Sequence, residues 1–207
     1  MSLLAYLPGY KELLSLLAIA LTFVAFIPYI RSIQQGKTRP HIISWVIWGS
    51  TTVVVFFAQL ADKGGAGAWP IGVSGCVTLY IAGLAYVKCS SSTGALNITR
   101  MDTLFLLASV MALPLWYISN DPLWAVIVLT AVDVMGFGPT FRKAYILPFE
   151  ENLTFYLVIS VRNIVATIAL ANYSMTTMLF PLSMALACIL FMLMVLYRRR
   201  IIDKDEM

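Results

Sequence analysis

Phe26-Ile27-Pro28-Tyr29-Ile30-Arg31 and Phe137-Gly138-Pro139-Thr140-Phe141-Arg142 stand 111 residues apart, and the reading of that pair decides the fold. Carried along the chain at the same offset without a gap, Pro70 meets Pro181, Tyr86 meets Tyr197 and Lys88 meets Arg199, with Ala20/Ala131 and Ala58/Ala169 as weaker matches. Prolines and helix-end cations answer to backbone chemistry, so their coincidence weighs more than matches among interchangeable apolar residues. The chain therefore reads as two copies of one unit. In a membrane, such a duplication is the usual architecture for holding a solute between the copies.

Composition places both copies in a bilayer. Of 207 residues, 60% are hydrophobic and 12% charged, against roughly 45–50% and about 25% in soluble domains. Charge-poor runs recur at about 11–33, 41–61, 65–87, 101–119, 122–143, 152–172 and 175–197. Each is long enough to cross the roughly 30 Å hydrocarbon core as a helix. None keeps the strict two-residue alternation of a membrane barrel, so all seven are expected to be helical.

The cations orient these spans. With the N-terminus outside, Arg31, Lys37, Arg39, Lys88, Arg100, Arg142, Lys143, Arg198, Arg199, Arg200 and Lys204 fall on the cytoplasmic side, while Lys11 and Lys63 fall outside. Eleven against two is a strong positive-inside bias. It accounts for the net charge of +4 through topology and attraction to anionic lipid, with no nucleic acid required. The first span follows Lys11-Glu12, contains Pro28 and ends in cations, features of a retained helix rather than a cleaved leader. Cys76, Cys89 and Cys188 are odd in number and widely spaced, which argues against a disulfide framework. The sequons at Asn97, Asn152 and Asn172 occur at chance level, and the first two fall on the cytoplasmic side.

Three spans end on the side opposite to where they began, so a second copy joined directly would be inverted. The fourth span turns the chain back. The expected fold is thus an all-α integral membrane protein of seven transmembrane helices, two parallel three-helix bundles joined by a linker helix. The first unit occupies 1–88, a polar stretch beginning Cys89-Ser-Ser-Ser-Thr-Gly94 and the linker helix 89–120, the second unit 121–200, and a cytoplasmic tail 201–207.

Three spans, a linker span and three more, with a proline and a cation near the end of each copy's first helix, resemble the PQ-loop and SWEET superfamily. The resemblance implies a multi-pass protein of the plasma membrane (the bacterial inner membrane) that moves a small molecule by alternating access, and a hinge role for Pro28 and Pro139. The family's glutamine is replaced by Tyr29 and Thr140, which points away from cystine and cationic amino-acid carriers. Spans 65–87 and 175–197 contain no asparagine, which points away from sugar. The Trp45-x-x-Trp48 spacing is also similar to that of nicotinamide riboside carriers. A receptor resembling the same fold, such as the KDEL receptor, would bind a ligand without moving it.

Several residues stand out on their own chemistry. Pro28 and Pro139 lack the N–H that would bond to the carbonyls of Val24 and Met135, which permits a hinge or a static kink, and Gly136 and Gly138 loosen the second site. Asp133 and Arg162 lie halfway through their spans, where an unpaired charge costs at least about 2.5–3.5 kcal/mol. They read as a structural ion pair, as solute binding by Arg162 and Asn163, or as proton coupling by Asp133. The last reading is supported by the superfamily's use of acidic residues in its fifth helix. The equivalent positions of the first copy are Thr22, Thr51 and Thr52, so charge is confined to one half. Ser44, Trp48, Thr51 and Thr52 share one helical face and offer an aromatic plate beside hydroxyls, suited to a ring-bearing or amphipathic solute. Trp45, near the boundary, reads as an interfacial anchor.

Other classes lack machinery. No phosphate-binding loop or dinucleotide turn is present, and the sole histidine, His41, lies at a loop-to-helix junction. No enzyme, cofactor or metal site is expected. The expected partners are a small-molecule solute and membrane lipids, and nothing in the sequence assigns an oligomeric state.

Overall fold

The computed structural model describes residues 9–36, 42–89, 100–146, 148–151 and 153–202. Among them every regular element is helical: α1 (Tyr10–Gln34), α2 (Ile42–Ala61), α3 (Trp69–Cys89), α4 (Arg100–Ser119), α5 (Pro122–Gly136), α6 (Gly138–Ile146), α7 (Leu153–Ile168) and α8 (Met175–Ile201). Short 3-10 turns at Gly65–Ala68 and Pro148–Glu150 lead into α3 and α7. Lys37, Arg39, His41, the stretch 90–99, Asn152 and Lys204 lie outside the described residues, as do the side chains of Cys89, Pro139, Arg142 and Lys143.

Among the described residues four helices are long and apolar enough to cross a membrane: α1, α2, the stretch Gly65–Lys88 that contains most of α3, and α8. The apolar part of α4 (Thr103–Ser119), α5 and α7 are shorter. The 16 residues of α7 reach about 24 Å at 1.5 Å per residue. Large apolar side chains are exposed on nearly every helix. On α4, Leu104, Leu107, Val110, Met111 and Ile118 are exposed and Ala112 is buried. A surface of this kind is poorly solvated by water and well solvated by lipid, so it is compatible with a membrane protein.

The helices pack in a regular order. α3 lies against both α1 and α2, and α8 lies against both α5 and α7; across the middle, α1 packs on α7 and α2 on α5. α4 packs chiefly on α5. Small residues allow the closest approach: a Cβ at Gly49 would meet Leu79 at 2.7 Å, and one at Gly75 would meet Val53 at 2.8 Å, so α2 and α3 touch nearly backbone to backbone. Two starts are fixed by capping. Asp121 accepts from the Leu123 N–H ahead of Pro122, and Ser174 forms a reciprocal capping box with Thr177 at the head of α8.

The two prolines behave differently. α1 runs unbroken through Pro28. The stretch 122–143, expected as one span, is interrupted: α5 ends at Gly136, the Phe137 N–H turns to the Val134 carbonyl at 3.1 Å, and α6 begins at Gly138. Pro139 removes one backbone bond and disfavours helical geometry in the residue before it, and the two glycines lower the penalty for leaving the helix. Around Pro28 the neighbours are Phe26, Ile27, Tyr29 and Ile30, with no glycine to yield.

Candidate functional site

Between α1, α2, α5 and α7 lies a cavity of about 920 Å³, backed by Ser74 and Thr78 of α3 and by Phe180, Met184 and Cys188 of α8. Its size is within the range of small-molecule sites, roughly 300–1,000 Å³. Seven pairs of lining residues are related by the 111-residue offset: Ala25/Gly136, Phe26/Phe137, Tyr29/Thr140, Ser44/Phe155, Trp45/Tyr156, Trp48/Ile159 and Thr52/Asn163. The cavity is therefore lined by both members of each of these offset-related pairs.

One end is a mouth. Ser32, Ser44, Thr140 and Glu151 line it at the ends of the helices where Arg31 and Arg198–Arg200 lie. Arg198 and Arg199 do not simply reach outward, as snorkelling cations would. They donate to the carbonyls of Tyr145 (2.9 Å), Pro148 (3.0 Å) and Glu151 (2.7 Å), pinning the connection between α6 and α7. The other end is sealed by bonds among α1, α2, the Gly65–Ala68 turn, α8 and the segment that follows α7. Lys11 donates to the Leu170 carbonyl (2.6 Å), Ser15 to that of Ala66 (2.7 Å), Gln59 to that of Thr177 (2.7 Å) and the Ala171 N–H to that of Gly64 (2.8 Å). Asp62 receives Asn172 on its carbonyl at 2.9 Å and Ser174 on its carboxylate. A Cβ on Gly67 would meet the Leu170 nitrogen at 2.4 Å, so only glycine admits this approach.

The inner part of the cavity is polar. Asp133 and Arg162 both line it, both 3% exposed, and no ion pair joins them. The ion pair that was one reading of these residues is not formed: α8 packs against both α5 and α7, and Asp133 turns to α2 while Arg162 turns to α1. Thr51 donates to Asp133 Oδ1 at 2.8 Å, and Arg162 Nε donates to Thr22 Oγ1 at 3.1 Å. Thr22 is the equivalent of Asp133, and Thr51 of Arg162. The two contacts are thus the same contact made twice, on the α1·α7 seam and on the α2·α5 seam.

The guanidinium is otherwise met by neutral oxygens. Its Nη1 donates to Asn163 Oδ1 and its Nη2 to the Pro70 carbonyl at 3.2 Å. The Thr22 hydroxyl hydrogen goes to the Ala18 carbonyl at 3.0 Å, which leaves a lone pair for Arg162. Thr51 differs. Its oxygen is 2.8 Å from Asp133 and 2.9 Å from the Trp48 carbonyl, and its single hydrogen can serve one of them at a time. With Asp133 ionised the hydroxyl donates to the carboxylate. With Asp133 protonated the acid donates and the hydroxyl turns to Trp48, so both protonation states are satisfied.

The outer walls are aromatic. Trp45 stacks on Tyr29 at 5.0 Å, Trp48 meets Trp45 edge-on at 5.8 Å, and Phe26 bridges Trp45 at 6.4 Å to Phe155 at 5.8 Å. Trp45, expected as an interfacial anchor, is half-buried in this wall. Of the residues expected to touch solute, Trp48, Thr52, Arg162 and Asn163 line the cavity, while Thr51 stands behind Asp133. Pro28 and Gly136 also line it; a Cβ on Gly136 would meet Trp48 Nε1 at 2.8 Å, so this glycine lets the indole in. Gly138 has nothing within 4 Å of its Cβ position. Tyr29, Phe155 and Tyr156 were not singled out by sequence, although Phe155 and Tyr156 occupy the positions equivalent to Ser44 and Trp45. Among the described residues no group of three or more potential metal ligands occurs. No family model, curated protein or solved structure matches the chain.

Proposed function

We propose that the chain is an alternating-access membrane transporter of a small polar or amphipathic solute, similar in plan to the PQ-loop and SWEET superfamily. In this reading α1–α3 and α5–α8 are two parallel three-helix bundles, with α5 and α6 forming one interrupted span and α4 linking the bundles. The observation that carries the proposal is the cavity itself: seven repeat-equivalent pairs line it, one end is open and the other is bonded shut across the copies. Equivalent halves that can exchange the open and closed ends are what alternating access requires. The mouth shares its end with the cation-rich helix termini, which the positive-inside bias assigns to the cytoplasm. The state described is then inward-open, with the N-terminus outside and the C-terminus inside the plasma membrane.

Trp48, Thr52, Arg162 and Asn163 are the proposed solute contacts. Asp133 is the proposed proton carrier, supported by a hydroxyl partner that accommodates it with or without the proton. The test is sidedness. With Cys76, Cys89 and Cys188 replaced, a Thr52→Cys variant in oriented vesicles is exposed to an impermeant maleimide from one face at a time. Labelling from both faces is expected, reduced to the mouth face alone when Asp62→Cys and Ser174→Cys are oxidised to a disulfide across the sealed end. Labelling from one face without the lock would rule out alternation and favour a ligand-binding receptor.

A further inference from the structure

Arg162 is an almost fully buried cation on the cavity wall whose protein partners are all neutral oxygens. A guanidinium carries five N–H groups. Three directions are used, by Thr22, Asn163 and Pro70, which leaves two N–H groups without a protein acceptor among the described residues. Asn163 accepts from Arg162 through Oδ1, so its own NH2 adds donors at the same depth. Thr52 gives its hydrogen to the Trp48 carbonyl at 2.7 Å and supplies none. The polar end of the cavity is therefore rich in donors and holds a positive charge with no counter-ion.

Resting on the reading of this cavity as the solute site, we propose that the solute carries a single carboxylate that docks on Arg162 and Asn163, and a flat apolar ring that lies against Tyr29, Trp45 and Phe26. A carboxylate presents two oxygens in the plane that a guanidinium fork matches, and its charge supplies what the buried cation lacks. A dianion such as phosphate would call for a second cation, and among the described residues Arg162 is the cation on the wall. The other lining charges do not compete for this place. Glu151 is at the mouth, ahead of the start of α7, and Arg162 lies about two and a half helical turns inside α7 from its first residue, Leu153. Asp133 engages Thr51 on the opposite seam, and in its protonated form it leaves the polar end of the occupied cavity with one cation and one anion. The ring half follows from the stacked and edge-on aromatics between the mouth and the polar end, a surface for a π-face rather than for hydroxyls.

Titration calorimetry on the purified full chain in detergent tests this with four compounds: phenylpropionate, its amide phenylpropionamide, the cation phenylpropylamine, and propionate. Phenylpropionate is expected to bind, the amide roughly tenfold or more weakly because it forgoes a charge-assisted contact, and the other two without measurable heat. Arg162→Gln should abolish the preference for acid over amide, and Arg162→Lys should keep it in weakened form. If neither variant folds, the wild-type series decides alone. Amide or amine binding as tightly as the acid, or no binding of the acid, overturns the carboxylate assignment; propionate binding as tightly as phenylpropionate overturns the ring. Failure here with two-sided labelling intact removes this proposal and leaves transport standing. Acid-selective binding with one-sided labelling does the reverse.

Discussion

The α1·α7 and α2·α5 seams use positions related by the 111-residue offset and hold opposite charges. On the first, Arg162 meets the hydroxyl of Thr22; on the second, Asp133 meets the hydroxyl of Thr51. At one set of positions both residues are threonines, and at the positions 111 residues on both are charged. The consequence is two centrally buried charges that are separated by the architecture instead of neutralising each other. A structural brace would be better served by a direct pair, since a buried charge left with neutral partners costs several kcal/mol. The difference between the seams also lies in what their charges can do: a carboxyl group exchanges a proton, and a guanidinium remains charged.

That contrast predicts its largest effect in the conformational response to pH. The rate at which Thr52→Cys is labelled from the face opposite the mouth should vary with pH by about tenfold or more if one proton biases the two-state equilibrium. Adding Asp133→Asn should flatten this profile while leaving labelling from both faces. An unaltered profile in the Asp133→Asn background would transfer the proton to another group and reduce the α2·α5 seam to packing.

Stability should separate the seams next. Thr22→Val leaves the Nε–H of a permanent cation buried without an acceptor, an expected loss of about 2–3 kcal/mol. Thr51→Val removes the partner of a group that can take up a proton, and the expected loss is smaller, about 1 kcal/mol. Chemical unfolding in mixed micelles measures both, and equal losses would erase the distinction. A smaller effect concerns coupling between the seams. Asp133 and Arg162 share no partner, so the losses from Asp133→Asn and Arg162→Gln should add within about 0.5 kcal/mol. Recovery of stability in the double variant would restore the direct ion pair that the sequence permits and the structure does not contain.

The seams also show what was legible beforehand. Helix limits and the 111-residue offset are written in local composition, because apolar runs delimit the helices and prolines mark backbone exceptions. Asp133, Arg162 and Asn163 announce themselves as polar residues in apolar surroundings. Thr22 and Thr51 are marked only as the offset positions of Asp133 and Arg162, and that each charge bonds to the other's counterpart follows from the packing of α1 on α7 and α2 on α5. Sequence proximity instead favours pairing within one copy, which α8 prevents. The aromatic wall was hidden for a related reason. Trp45 has the composition and depth of a lipid anchor, and its stacking on Tyr29 depends on the rotation of α2 about its axis, which the doublet Trp45-x-x-Trp48 leaves undetermined.

The smallest predicted difference lies at the prolines, where two sites 111 residues apart differ in backbone rather than charge. Pro28 is carried inside an unbroken α1, so Pro28→Ala adds one N–H to a helix that already holds its course and should change neither affinity nor labelling rates appreciably. Pro139 follows the break at Phe137, and Pro139→Ala supplies the N–H that can return to the Met135 carbonyl and join α5 to α6. If the break is the point at which the mouth half of the fifth span moves, joining the pieces should slow the appearance of labelling from the opposite face while leaving phenylpropionate affinity unchanged. Gly136 and Gly138 remain in that variant, so slowing rather than arrest is expected. Equal rates in wild type, Pro28→Ala and Pro139→Ala would assign the interruption a packing role, which the entry of the Trp48 indole over Gly136 already supplies.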